Sequence, residues 1–353
     1  MISRPASMPE SLDDFATCPQ SGQTASAAYR TQVKTAARWA EQAGCKGILV
    51  YSDNSLVDSW LVSQLIVEST ADLCPLIAVQ PVYMHPYSIA KMITSLAYLH
   101  DRRVYLNMIA GGFRNDLLAL ADSTQHDDRY ARLIEYSTII LDLTRNSAPL
   151  SYRGRFYQTQ NLKLTPPLPR NLQPGLMVSG SSAAGAEAAR VLGATCIHYP
   201  KPVADYGSPF LDDSMNFGMR VGIISRSSDR EAWEIAHTRF PEDRKGKLLH
   251  QYAMKVSDSE WHRQLSGFEG SAVAGSSSPY WLGPFENYRT FCPYLVGNYD
   301  VVGSEISRYI KLGYRTFILD IPDDSEDLMH SAIAFERAVQ SPISALSQHE
   351  VGA

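Results

Sequence analysis

Short runs rich in β-branched and aromatic residues alternate with longer stretches of helical periodicity, and this alternation restricts the fold more than any other feature of the chain. Strands are predicted at Asp14–Cys18, Gly47–Tyr51, Leu76–Val79, Val104–Ile109, Leu176–Ser179, Thr195–Tyr199, Gly218–Ile224 and Thr316–Asp320. Between them, Tyr29, Val33, Ala36, Ala37 and Ala40 fall at helical spacing, as do Ile89, Met92, Ile93, Leu96 and Leu99. Further helices are expected over 56–69, 127–143, 182–192, 229–240, 245–264, 302–310 and 325–339. Eight strands joined by crossover helices match an α/β fold of the (β/α)8 TIM barrel type. The expectation is one such domain over residues 1–353. An open doubly wound sheet would place a glycine-rich turn after its first strand, and Pro19-Gln20-Ser21-Gly22 matches no such turn.

Two stretches break the alternation. Residues 150–170 carry short alternating runs around Arg153-Gly154 and read as a β-hairpin insertion. Residues 266–295 begin as a Gly/Ser-rich loop and end in aromatics, the composition of a lid, a binding loop or a passive insertion. A net charge of -5 gives no electrostatic footprint for nucleic acid or an anionic membrane. No apolar run is long enough to span a bilayer, and the N-terminus lacks the apolar region of a secretory signal. The five cysteines are odd in number and form no C-x-x-C pair, so they read as reduced thiols of a cytoplasmic protein with no metal site.

Four places could carry chemistry. Ser179-Gly180-Ser181-Ser182 ends a strand and opens a helix; free N–H groups and hydroxyls there can cradle a phosphate, though a serine cap would look the same. Asn107 interrupts an apolar strand that runs into Ala110-Gly111-Gly112, so it is either satisfied by neighbouring backbone or aimed up the barrel at a ligand. In His126-Asp127-Asp128-Arg129-Tyr130, Asp127 can cap the following helix, with His126 and Tyr130 on one face. Tyr51, Ser52 and Asp53 lie just past a strand, where barrel active sites form. His85 and His198 also follow or end strands and are conceivable acids or bases. G-x-S-x-G, P-loop, H-E-x-x-H and G-x-G-x-x-G motifs are absent.

In this order the motifs resemble the bacterial luciferase-like flavin monooxygenase superfamily, most closely its alkanesulfonate monooxygenase branch, over about residues 29–335. Leu106–Gly111 is similar to the family's N-x-(V/I)-x-G strand end, His126–Tyr130 to its H-x-x-R-Y signature, and Ser179–Ser182 to its phosphate turn. Ser55, Asp58 and Trp60 match S-x-x-D-x-W, and Phe217, Gly218 and Arg220 match F-G-x-R. The resemblance implies reduced FMN as co-substrate, its phosphate at Ser181 and Ser182 with Ser179 and Gly180 shaping the turn. Its ring would lie near Asn107, with Ser52, Tyr130 and His126 close by. Dioxygen would form a flavin (hydro)peroxide that oxidises an organic substrate, with His85, His126 and Arg220 as the candidate catalytic groups. A separate flavin reductase and a homo-oligomer are implied partners.

The chain departs from the sulfonate branch at several points. Gly222 stands where that branch has a histidine after F-G-x-R, and Leu56 where it has a reactive-site cysteine. Asp320-Ile321-Pro322 replaces an expected tyrosine, and the lid arginine falls near Tyr288-Arg289. Arg220 is kept, either to bind an anionic substrate or to pair with a barrel carboxylate. The expected substrate is therefore a larger or carrier-tethered organic molecule of specialised metabolism. An F420-dependent oxidoreductase or a non-catalytic flavin-binding barrel are the alternatives.

Overall fold

Strict inward–outward alternation along each strand builds the barrel, because successive side chains of a strand point to opposite faces. In the computed structural model, which describes residues 12–23, 25–111, 114–207, 212, 214–248, 250 and 278–340, eight parallel strands close on themselves. They are β1 (Asp13–Thr17), β2 (Gly47–Val50), β3 (Cys74–Val79), β4 (Tyr105–Ile109), β5 (Gly175–Ser179), β6 (Thr195–His198), β7 (Phe217–Arg226) and β8 (Tyr314–Leu319). β1 pairs with both β2 and β8, and β7 with both β6 and β8, which completes the ring. Inward-facing Phe15, Leu49, Leu76, Tyr105, Met177, Ile197 and Ile318 fill the interior as one apolar cluster. Outward-facing Ile48, Ile77, Leu106, Val178, Cys196 and Phe317 pack under the helices.

Those helices are α1 (Ser26–Ala43), α2 (Ser59–Ser69), α3 (Pro86–His100), α4 (His126–Arg145), α5 (Ala183–Leu192), α6 (Asp229–Arg239), α7 (Tyr299–Lys311) and α8 (Ser325–Gln340). All eight predicted strands are present within a residue or two at each end. α4 begins at His126 with Gln125 as its cap residue, so Asp127 lies in the first turn instead of capping it. The predicted helix over 245–264 is helical at 244–248, and most of its remainder lies outside the described residues. Among the described residues, no helix is long and apolar enough to cross a membrane.

Two insertions interrupt the ring. The hairpin pairs Leu150–Arg153 with Gln158–Leu162, and its tip is clamped to α4 by Glu135. That carboxylate accepts from the backbone N–H groups of Arg155, Phe156 and Tyr157 at 2.8, 2.9 and 3.2 Å. Of the second insertion, 266–277 lies outside the described residues. Its remainder holds a two-residue strand, Tyr280–Trp281, and leads into a further strand that the alternation does not predict, Tyr294–Asn298. β7 makes room for it. Its first five residues pair with β8, while Gly222–Arg226 run on beyond the ring and pair with Tyr294–Asn298. All ten residues of β7 are buried, a length the barrel ring alone cannot cover.

Candidate functional site

The C-terminal ends of the strands open into a cavity of about 260 Å³, just under the roughly 300–1000 Å³ of ordinary small-ligand clefts. Its floor is apolar, from Leu49, Ile109, Ile197 and Ile318. Of the ten residues that the resemblance assigns to the flavin or to catalysis, nine line it: Ser52, Asn107, His126, Tyr130, Ser179, Gly180, Ser181, Ser182 and Arg220. They come together because β2, β4, β5, β7 and the start of α4 all deliver residues to the same side of the ring.

One wall is the turn between β5 and α5. Ser182 caps α5, its Oγ accepting from the Gly185 N–H at 3.2 Å, which leaves the hydroxyl proton to donate. The first N–H groups of a helix lack carbonyl partners within it, so the start of α5 presents donors and a positive dipole end. Gly180 is required by a close approach: a Cβ there would stand 2.3 Å from the Tyr130 hydroxyl oxygen. Tyr130 reaches the turn from the first turns of α4, its ring edge-on to His126 at 5.2 Å between centroids. His126 Nδ1 lies 2.7 Å from Asp127 Oδ1, so Nδ1–H is held by the carboxylate and Nε2 is the available ring nitrogen.

Asn107 is 5% exposed and escapes the cost of a buried unpaired amide because its Oδ1 accepts from the Ser179 hydroxyl at 2.7 Å. With the oxygen engaged, the amide N–H groups are what Asn107 offers the cavity. Gln80, which no sequence motif marks, lines the same cavity. Its Nε2 donates to the Ser52 carbonyl at 3.0 Å and fixes the β2 loop. Extending the period-2 series Leu76, Ala78, Gln80 past the end of β3 would have found it.

The opposite wall is built around Arg220, which is 5% exposed. Its guanidinium lies 4.7 Å from the centre of the Tyr51 ring and pairs with Asp320 at 3.2 Å. Asp320 also accepts from the Tyr294 hydroxyl at 2.9 Å and from the Thr290 hydroxyl. Gly222 explains this arrangement. A Cβ at that position would lie 2.3–2.4 Å from three atoms of the Tyr294 ring. The residue standing where the sulfonate branch has histidine thus admits a tyrosine from another strand. Burial, reinforced by the Asp320 charge, pushes the Tyr294 phenol well above its ordinary range, so it stays a donor. Nothing in the sequence marks Tyr294 or Thr290, because both lie in the irregular 266–295 stretch, which carries no periodic pattern.

Tyr51, Asp53 and Arg129 line the cavity as well, while other polar residues singled out in the sequence lie elsewhere. His85 is exposed and caps α3, its Nδ1 accepting from the Tyr87 N–H at 3.2 Å; it does not line the cavity. His198 faces outward instead of into the barrel mouth, because its neighbour Ile197 takes the inward position. It packs against Phe217 and Tyr314 with Nε2 3.2 Å from Cys196 Sγ. Burial first, then the Lys201 charge, lowers its pKa to about 4. Asp58 caps α2 by accepting from Trp60 and Leu61 N–H groups. Arg289 is half-exposed and pairs with Asp243 at 3.0 Å.

Comparison with known proteins fits this architecture. The sequence pattern of the luciferase-like monooxygenase family matches residues 15–279. A 4-(gamma-L-glutamylamino)butanoyl-[BtrI acyl-carrier protein] monooxygenase, BtrO of Niallia circulans, is 34% identical over 295 residues, covering 81% of this chain and 85% of that one. Among solved structures, the long-chain alkane monooxygenase LadA superposes with a TM-score of 0.70 at 15% identity, over 97% of this chain and 94% of its own. An F420-dependent secondary alcohol dehydrogenase shares the fold with a TM-score of 0.62 at 13% identity, over 93% and 98%. At such identities the two structures speak to the fold alone, while the family pattern and the 34% relative reach the chemistry. The chain belongs to the luciferase-like monooxygenase family and is a flavin-dependent monooxygenase of that family.

Proposed function

We propose that this chain uses reduced FMN, supplied by a separate reductase, together with dioxygen to oxidise an acyl substrate carried on a carrier protein. The observation that carries the reading is the convergence of the Gly180–Ser182 turn, the Asn107–Ser179 pair and an apolar floor in one cavity. These residues fit a flavin mononucleotide. Ser181, Ser182 and the start of α5 offer the donors a phosphate needs, with Tyr130 held against them through Gly180. The Asn107 amide N–H groups suit the polar edge of a flavin ring, and Leu49, Ile109, Ile197 and Ile318 suit its face while excluding water.

Reduced flavin, when bound, supplies the electrons that activate dioxygen; the protein's part is placement and proton handling. Asn107 and Ser179 orient, Gln80 fixes the wall carrying Ser52, and His126 can accept or return a proton at Nε2 from the rim. The substrate class is supported by the BtrO relative, whose own substrate is an acyl group on a carrier protein. The test is intact-mass measurement of an acylated carrier protein after incubation with the enzyme, reduced FMN and oxygen. A gain equal to one oxygen atom, dependent on enzyme and on FMN, is expected. No gain with any acyl carrier, or turnover only with reduced F420, overturns the proposal.

A further inference from the structure

The charge on the Arg220 wall is balanced before any ligand enters. One Nη of Arg220 donates to Asp320, and Asp320 is held in place by Tyr294 and Thr290. The guanidinium nevertheless has unused donating capacity. Asp320 takes one of its five N–H groups, Arg220 forms no other hydrogen bond among the described residues, and the residue lines the cavity. A ligand oxygen that meets the cavity side of the guanidinium uses this spare capacity. The chemistry of that oxygen follows from what stands behind it. A carboxylate or sulfonate would bring a second anion to a guanidinium whose charge Asp320 already offsets, leaving one negative charge desolvated without a counter-ion. A carbonyl oxygen accepts the same N–H and adds no charge.

We infer that Arg220 and Asp320 form a substrate subsite that selects an uncharged carbonyl, as in a thioester, ester or amide, over a carboxylate or sulfonate. Arg220 is the donor, and Asp320 is a positioning residue that cancels its charge. Gly222 belongs to the same device, since only its missing side chain lets Tyr294 reach Asp320. The inference rests on the reading of the substrate as a carrier-held acyl group, and it specifies which group of that substrate the protein grips.

The test is an affinity comparison on protein loaded anaerobically with reduced FMN, using ligand-observed NMR. The probes are the N-acetylcysteamine thioester of butanoate, free butanoate and butane-1-sulfonate. The wild type is expected to bind the thioester at least roughly tenfold more tightly than either anion, the discrimination a charged-group hydrogen bond commonly gives. Equal or tighter binding of an anion overturns the inference. In Asp320→Asn the guanidinium is no longer neutralised, and affinity for both anions should rise roughly tenfold while the thioester changes little. An unchanged anion preference in a folded variant also overturns it, and the wild-type comparison stands if the variant does not fold. A wild type that prefers the thioester yet never oxidises a carrier-held substrate would sink the proposed function and support the subsite. One that oxidises such a substrate while preferring the anions would sink the subsite alone.

Discussion

The two walls of the cavity solve opposite problems with similar amounts of polar material. The β5–α5 wall presents hydroxyls, helix N–H groups and the Tyr130 hydroxyl to the cavity, with no carboxylate turned back against them from the turn itself. The β7–β8 wall contains the stronger cation, Arg220, and spends it on Asp320 inside the protein. Under the proposed function, the first receives a charge it does not own. The second is already neutral and has donors left over. Charge content therefore says less about what a wall will bind than where the counter-charge sits.

The sharpest way to break this comparison is Gly180→Val. Its side chain would occupy the space of the Tyr130 hydroxyl, and overpacking of this kind typically costs about 1–3 kcal/mol. Displaced from the turn, Tyr130 should lower the affinity for reduced FMN by roughly a hundredfold, read by anaerobic fluorescence titration. An unchanged titration would mean that this wall does not receive the flavin phosphate.

Gly222→Ala applies the same strain to the other wall, against the fully buried Tyr294 ring. Here the loss should appear as stability, on the order of 2–3 kcal/mol by chemical denaturation, with reduced-FMN affinity within about twofold of wild type. A large fall in flavin affinity would show that the walls are coupled.

The smallest effect concerns two buried groups on neither wall, and it serves as the control. Asp14 is raised to about 6, chiefly by burial, so its contribution to stability is full below about 3.8 and is lost as pH rises toward 6. His198 is lowered to about 4, also chiefly by burial, so its contribution is full above about 6.5 and is lost as pH falls toward 4. The two oppose each other across this window. Relative to wild type, Asp14→Asn should lose stability more steeply on acidification, and His198→Gln should lose it less steeply or gain, each by on the order of 2 kcal/mol. Melting points between pH 4 and 7 check this. Parallel curves for all three proteins would contradict the burial argument, and a change in flavin affinity would remove the control.

Much of this was legible without coordinates. The βα alternation specified the barrel, because each strand must bury an inward and an outward face at once and so reads as a short apolar run. Nine of the ten residues assigned through the family resemblance line the cavity, since strand ends and helix starts in a parallel barrel are delivered to one mouth by topology alone. His85 follows the same rule, but the helix start beside it claimed its ring as a cap. His198 shows the precision required: one residue of register separates the cavity from the helix layer, and Ile197 holds the inward position.

By itself, then, the amino-acid order determined the barrel, its mouth and the turn that opens α5, because these follow from local periodicity and from groups adjacent in the chain. The Arg220 wall was decided only in three dimensions. Arg220, Asp320, Tyr294 and Thr290 come from three separate segments, and the space that joins them exists because Gly222 has no side chain. A missing Cβ and a distant ring carry no periodic signal. Their meaning appears only when tertiary packing sets one against the other.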